Sequence, residues 1–335
     1  MGPSAAASEF LETVGLSAQL PTPRFLEDLF LRVSAALPYE TLTRGRGGRP
    51  GDVDAETLLA RAAEGSLPLV GGERTHLLLG LARGLGFDVR PVAARTRRGR
   101  HVALGVRFPG HDVLADPAWP LPVLVPLDPP ACEIPTPYGA LSVRSDGNEL
   151  VVVADGRGRE REVLRLEALP VPEAEARALG TAPADLSSPF ALRLLPDRTH
   201  FWRQGRMTVA DAWSRLTWPL GGAERRALKV LFAIETDLPD ALSPEAKEPP
   251  TLTVWHASLA EPERLKARLS VAAPFDGEGL VTGVRYGVEP LESGARLSIH
   301  ATLKGGVPPG GLPETARKTL VFRLASELFL ASREA

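Results

Sequence analysis

The sequence predicts an α+β protein, and three observations lead to this fold class. Residues 9–85 have the apolar spacing of amphipathic helices. Residues 89–166 contain short β-rich segments separated by glycine, proline and arginine clusters, which is the pattern of an antiparallel sheet or barrel. Residues 251–335 combine further strand-like segments with a terminal amphipathic helix, so we expect an additional C-terminal α+β domain there.

Four helices are expected in the N-terminal part of the chain. Apolar residues at 10–16 form a first stripe, and Thr22-Pro23 opens a second helix with an apolar face at 25–33. Asp54 is suited to cap the start of a third helix that extends to residue 64. A fourth helix is predicted from Gly71 to Leu85, where a following glycine supplies a stop signal.

Strands are expected where β-branched and apolar residues are bounded by turn signals such as Asp146-Gly. In the first half of the chain they are predicted at 89–92, 101–108, 112–115, 141–143, 150–154 and 162–166. In the second half they are predicted at 190–195, 199–204, 206–209, 252–256, 280–288 and 295–303, with helices at 224–232 and 313–333. The glycine-rich residues 45–51 are interpreted as a loop, and the proline-rich residues 239–250 as a domain linker.

Composition excludes several functional classes. The net charge of -2 gives no bulk attraction to nucleic acid or to an acidic membrane, so neither is expected as a partner. No apolar run is long enough to span a bilayer, and the N-terminus does not resemble a signal peptide. The single cysteine, Cys132, excludes an internal disulfide and a cysteine-based zinc site, and no metal is expected. We therefore expect a cytoplasmic protein.

A series of short strings follows one another along the first 240 residues. They are FLETVGL (10–16), PTPRFLEDL (21–29), LPYETL (37–42), LARGLGFDV (81–89), HVALGV (101–106), VLAD (113–116) and SPF (188–190). Each string is weak alone, but their order and spacing together resemble the arylamine N-acetyltransferase family, which has a papain-like, transglutaminase-related core. The resemblance implies a helical part over 1–88, a β-barrel part over 89–170 and a lid-like α/β part over 171–240, followed by the extra domain at 251–335.

The nucleophile of that family is missing at its expected position. The family's central motif is R-G-G-Y-C-F-E-x-N, and an ungapped alignment places it on residues 67–75. The position of the catalytic cysteine is then Gly71, Glu73 is the one motif residue that is kept, and Thr75 replaces the asparagine. His101 and Asp116 match the other two members of the Cys-His-Asp triad.

The resemblance implies a reaction in which a thiolate accepts an acetyl group from acetyl-CoA and passes it to an arylamine. Gly71 has no side chain, so this chemistry cannot start there. We therefore expect a pseudoenzyme that binds a small aromatic amine, a CoA thioester or an unidentified protein partner. Acetyl-CoA is the expected co-substrate only if the family activity persists.

An alternative is an active acyl-CoA-dependent N-acyltransferase or amide synthase with a relocated nucleophile. Thr75 lies one helical turn, about 6 Å, beyond Gly71. That distance is too large for Thr75 to take the place of the family's cysteine relative to the histidine. Ser66 has no nucleophile-elbow glycines around it, and Cys132 is interpreted as a loop cysteine because prolines surround it.

Structural roles compete with functional ones for the remaining candidates. His101 and Asp116 are interpreted either as a vestigial catalytic pair or as a hydrogen bond that holds two strands together. Glu73 is either a cleft residue or a first-turn acid favoured by the helix dipole. Three tryptophans could line a cleft, although a mixed strand surface also explains them: Trp202, Trp213 and Trp218.

Overall fold

A computed structural model describes most of the chain. The described residues are 3–42, 54–65, 69–96, 99–117, 121, 123–127, 132–136, 139–155, 160–174, 176, 189–234, 249–270, 280–291, 294–305, 307–308 and 310–333. Several predicted features lie outside them: the loop at 45–51, most of the linker at 239–250, Ser66, and residues 67–68 and 188 of the family strings.

The chain forms two compact units. Unit 1 comprises Met1–Gly156, Glu160–Pro196 and Phe232–Thr236, and unit 2 comprises Arg157–Arg159, Asp197–Leu231 and Asp237–Ala335. The linker predicted at 239–250 falls inside unit 2, and the division into four domains stays a prediction.

Unit 1 begins with the four predicted helices; the first covers Ala5–Thr13 rather than residues 10–16, and the other three lie where they were predicted. They are α1 (Ala5–Thr13), α2 (Pro23–Ala36), α3 (Ala55–Glu64) and α4 (Gly71–Gly84). The expected cap of α3 is present, since Asp54 Oδ1 accepts a hydrogen bond from the backbone N–H of Thr57 at 2.8 Å. The apolar face of α2 packs into one core with the buried leucines of α4: Leu77, Leu78, Leu79 and Leu81.

The rest of unit 1 is mainly an antiparallel sheet in the order β5-β4-β3-β2-β9-β8-β7-β6. Its strands are β2 (Asp88–Thr96), β3 (Gly99–Phe108), β4 (His111–Ala115), β5 (Val125–Pro126), β6 (Cys132–Thr136), β7 (Gly139–Asp146), β8 (Glu149–Asp155) and β9 (Glu160–Pro170). One apolar core includes residues from both ends of this order, among them Val125 and Val143, so the sheet curls into a barrel. A short pair, β1 (Tyr39–Glu40) and β10 (Phe190–Leu194), completes the unit.

The predicted loop around Cys132 was wrong. Cys132 is the half-buried first residue of β6, which pairs with β7 at the edge of the sheet order. Prolines such as Pro135 indicated a loop, but an edge strand accommodates proline because its missing N–H removes no bond from an inner ladder.

Unit 2 contains an antiparallel sheet in the order β11-β12-β13-β14-β16-β15. Its strands are β11 (Thr199–Arg203), β12 (Arg206–Ala210), β13 (Ser214–Pro219), β14 (Thr251–Ser258), β15 (Val281–Pro290) and β16 (Ala295–Leu303). The further helices are α5 (Glu224–Phe232), α6 (Pro262–Ser270) and α7 (Glu314–Arg333). Strand β13 and helix α6 had no sequence prediction. Because β13 pairs with β14, residues on either side of the predicted linker share one sheet.

Helix α7 covers one face of this sheet. It packs against β14 and β16 and buries Leu320, Leu324 and Leu328, which follow the four-residue spacing of one helix face. Trp202 and Trp218 are fully buried, whereas Trp213 is 64% exposed, so the three tryptophans do not form one surface. Among the described helices, none is long and apolar enough to cross a membrane.

Candidate functional site

His101 and Asp116 come together through the β3–β4 hairpin of unit 1. Strands β3 and β4 pair in antiparallel register up to Phe108 and His111, and Gly110 in the turn between them has a φ of 85°. Asp116 directly follows β4, and its Oδ2 lies 2.8 Å from Nε2 of His101. The Asp116 side chain is fully buried and that of His101 is 15% exposed.

This hydrogen bond fixes the orientation of the imidazole. A buried carboxylate requires a polar partner, and His101 supplies one. Because Nε2 is bound to Asp116, Nδ1 is the ring nitrogen that remains to exchange a proton with a reacting group. The pair has the base-and-orienter geometry of a catalytic triad.

The first turn of α4 holds the other candidate residues. Gly71 is the first residue of the helix, and Glu73 Oε2 accepts a hydrogen bond from the backbone N–H of Val70 at 3.1 Å. The Thr75 hydroxyl donates to the carbonyl oxygen of Gly71 at 3.2 Å, and Thr75 is only 6% exposed. Both side chains therefore contact the backbone around Gly71.

Arg74 connects this turn to the His101–Asp116 pair. Its Nε donates to the carbonyl oxygen of Pro117 at 2.7 Å, and its Nη1 donates to the carbonyl oxygen of Leu37. Arg74 is 2% exposed. Burial lowers its pKa to about 10, while the electrostatic interactions with Tyr39 and Asp116 act in the opposite direction. Arg74 therefore stays cationic at neutral pH and its charge opposes that of the buried Asp116 carboxylate.

Arg74 was not predicted as a site residue, although the sequence carries a signal for it. Arg74, Leu78 and Leu81 share the four- and three-residue spacing of one stripe on α4, and all three are buried. A charged residue within an apolar stripe indicates a buried ionic contact, since an unpaired buried charge is strongly disfavoured.

No protein-family model and no curated protein sequence matches this chain. Solved structures do match. The arylamine N-acetyltransferase of Mycobacterium marinum in complex with CoA is 20% identical, with a TM-score of 0.60 over 68% of this chain and 92% of that one. The Salmonella typhimurium arylamine N-acetyltransferase is 16% identical, with a TM-score of 0.59 over 72% of this chain and 97% of that one.

This chain has the arylamine N-acetyltransferase fold. A third example of the fold, from Bacillus cereus, is described as having a unique Cys-His-Glu catalytic triad; it is 14% identical, with a TM-score of 0.58 over 70% of this chain and 100% of that one. The fold predicted from the short strings is thus confirmed. The roles of Gly71, Glu73, Thr75, His101 and Asp116 in this arylamine N-acetyltransferase fold stay predictions.

Proposed function

We propose that this chain is an arylamine N-acetyltransferase-like pseudoenzyme that binds a CoA thioester or a small aromatic amine without transferring an acyl group through residue 71. One observation supports this most directly. Gly71 is the first residue of α4, whereas His101 and Asp116 remain hydrogen-bonded at 2.8 Å. The base and its orienting carboxylate are present, and the side chain that they would activate is absent.

The position of Gly71 matters because a helix start is where a thiol becomes reactive. The partial positive charge of a helix N-terminus and a neighbouring histidine both lower a cysteine pKa and generate the nucleophilic thiolate. Glycine has no side chain, so neither the helix N-terminus nor a histidine can generate a nucleophile at residue 71. A protein with an intact pair and no nucleophile is suited to binding its ligand rather than turning it over.

A relocated nucleophile is the alternative, in which the chain is an active N-acyltransferase or amide synthase. The environment of Thr75 argues against it, because its hydroxyl is buried and already donates to the helix backbone. Cys132 is half-buried on β6, where it packs against the apolar core of the barrel.

The proposed ligand class rests on the fold. The Mycobacterium marinum protein that shares the fold is solved with CoA bound, and a cleft can keep its ligand after the nucleophile is lost, because binding and covalent chemistry use different groups. Saturable binding of acetyl-CoA or of an arylamine is therefore the expected activity of this chain.

The test combines binding with mass measurement. Isothermal titration calorimetry with acetyl-CoA and with 4-aminobenzoate should show saturable binding of at least one. Intact-mass measurement after incubation with both should show no acetyl adduct, and chromatography should show no acetylated amine. An adduct that disappears in Cys132→Ala or Thr75→Ala would establish a relocated nucleophile and overturn the pseudoenzyme assignment.

A further inference from the structure

One face of the unit 2 sheet carries a row of polar side chains across three strands. Along β16, residues Ala295, Leu297, Ile299, Ala301 and Leu303 are buried on the side that α7 covers. Ser298 and His300 alternate with them, so they lie on the opposite face. His300 is paired across the sheet with Thr253 on β14 and with Arg285 on β15.

These side chains form a continuous hydrogen-bonded chain. The Thr253 hydroxyl lies 3.1 Å from Nδ1 of His300, and the Ser298 hydroxyl lies 3.2 Å from Nε2 of the same ring. When the imidazole proton is on Nδ1, that nitrogen donates to Thr253, and Nε2 accepts from the Ser298 hydroxyl. A nucleophile, a base and a group that orients the base are then linked within hydrogen-bond reach.

Space beside Ser298 depends on Gly287. Gly287 lies directly across from Ser298 in the pairing of β15 with β16. A Cβ atom at residue 287 would lie 2.6 Å from Ser298 Oγ and 3.7 Å from His300 Nε2. Glycine at this position therefore leaves room for the Ser298 hydroxyl to lie against β15 while it stays within hydrogen-bond distance of His300.

We propose that Ser298 is a nucleophilic serine, activated by His300 and Thr253, that accepts acyl groups from activated carboxylic esters. In the first step Ser298 Oγ bonds to the ester carbonyl carbon while its proton moves to His300 Nε2. The tetrahedral adduct then expels the alcohol, which leaves with that proton, and an acyl-serine remains. Water then attacks the acyl carbon and gives a proton to His300 Nε2; the bond from Ser298 Oγ to that carbon breaks, Oγ takes the proton back, and the free acid leaves.

Arg285 supplies charge for this chemistry. It is exposed on the same face and stands across from His300 in the strand register. A guanidinium group beside the reacting carbonyl stabilises the oxyanion that forms as Ser298 attacks. The site is independent of Gly71, His101 and Asp116, and so of the function proposed above.

A biotinylated fluorophosphonate tests the site, because it bonds to activated serines with loss of fluoride. The full chain should be labelled at Ser298, as located by peptide mass spectrometry, and should hydrolyse p-nitrophenyl acetate faster than buffer alone. Ser298→Ala should abolish labelling, and His300→Ala should slow it by about tenfold or more. Ser145→Ala, which removes an exposed serine from strand β7, should leave it unchanged.

Two further variants separate activation from folding. Thr253→Val should slow labelling, because the imidazole loses the partner of Nδ1, and Gly287→Ala should slow it by crowding Ser298. All four variants of the site should keep the circular dichroism spectrum and unfolding temperature of the parent chain. Absence of labelling, labelling at another residue, or a Ser298 label that His300→Ala does not slow would each overturn the proposal.

Discussion

Arg74 donates a hydrogen bond from Nε to the carbonyl oxygen of Pro117, 2.7 Å away, and Pro117 is the residue that follows Asp116. This bond joins the first turn of α4 to the end of β4. The start of the helix, where Gly71 lies, is thereby held in a fixed position relative to the carboxylate that orients His101. A buried cation thus organises the candidate site without belonging to the predicted triad.

Replacing Arg74 by methionine should destabilise unit 1 strongly. The change leaves the carbonyl oxygens of Pro117 and Leu37 without their donor and leaves Asp116 without the opposing charge. Breaking a buried charge contact in this way costs about 3 kcal/mol of the free energy of unfolding. Urea unfolding measures the loss. Arg61→Met, on the exposed side of α3, should change stability by less than about 0.5 kcal/mol, and equal effects of the two variants would contradict the assigned role of Arg74.

The elements that the sequence predicted well are those whose signals are local. Apolar spacing and the Asp54 cap located helices α1 to α4, because both depend on residues within one or two turns. Strand β13 had no such signal, and its pairing with β14 joins residues more than 30 positions apart. The prolines around Cys132 indicated a loop because proline disfavours strands locally. The segment forms strand β6 nevertheless, because β6 lies at the edge of the sheet order, where proline is tolerated.

Only part of the candidate site could be predicted, because some of its contacts join residues that are far apart in the chain. Family resemblance pointed to His101 and Asp116, and the β3–β4 hairpin brings them together. The partners of Arg74 lie 43 and 37 positions away in the chain, so no local pattern could have identified them. The Ser298–His300 contact has a two-residue spacing, but Thr253 and Gly287 are added only by the pairing of three strands.

Gly71→Cys should restore reactivity at the start of α4. In a Cys132→Ala background the introduced thiol is the only one in the chain. The helix start, together with His101 as the family resemblance implies, should favour its thiolate. Iodoacetamide should alkylate it at pH 7 about tenfold faster than a thiol introduced by Gly72→Cys. The side chain of residue 72 points about 100° away from that of residue 71 around the helix axis. Intact mass over time gives both rates.

The dependence on His101 is the decisive control for this variant. Adding His101→Ala to the Gly71→Cys chain should lower its alkylation rate to that of the Gly72→Cys chain. Equal rates for residues 71 and 72, or no effect of His101→Ala, would show that the His101–Asp116 pair does not face the start of α4.

Gly80 sets the close approach of α3 and α4. A Cβ atom at residue 80 would lie 2.4 Å from the Cβ atom of Ala55, so Gly80→Ala must push the two helices apart. We expect a loss of about 1–3 kcal/mol in the free energy of unfolding, although alanine is the better helix former. Gly84→Ala is the matched control, because its nearest neighbour is 3.9 Å away, and it should be neutral or stabilising. Ala55→Gly should rescue Gly80→Ala, and failure of that rescue would contradict the steric explanation.

Glu314 should make the stability of unit 2 depend on pH in the acid range. Partial burial opposes ionisation of this carboxyl, but hydrogen bonds from Arg198 and Arg317 outweigh it and lower its pKa to about 2. Because the pKa is depressed in the folded state, the stabilisation is present above the ordinary glutamate value of 4.5 and is lost as the pH falls toward 2. The side chain is 40% exposed, so after solvent screening we expect Glu314 to contribute about 1 kcal/mol to the free energy of unfolding.

Urea unfolding between pH 7 and pH 2 should show the stability of Glu314→Gln converging on that of the parent chain as the pH falls. Glu263→Gln, which removes an exposed partner of Lys266, should have nearly the stability of the parent chain at every pH. If the stability difference between Glu314→Gln and the parent does not shrink as the pH falls, protonation of Glu314 does not control that difference.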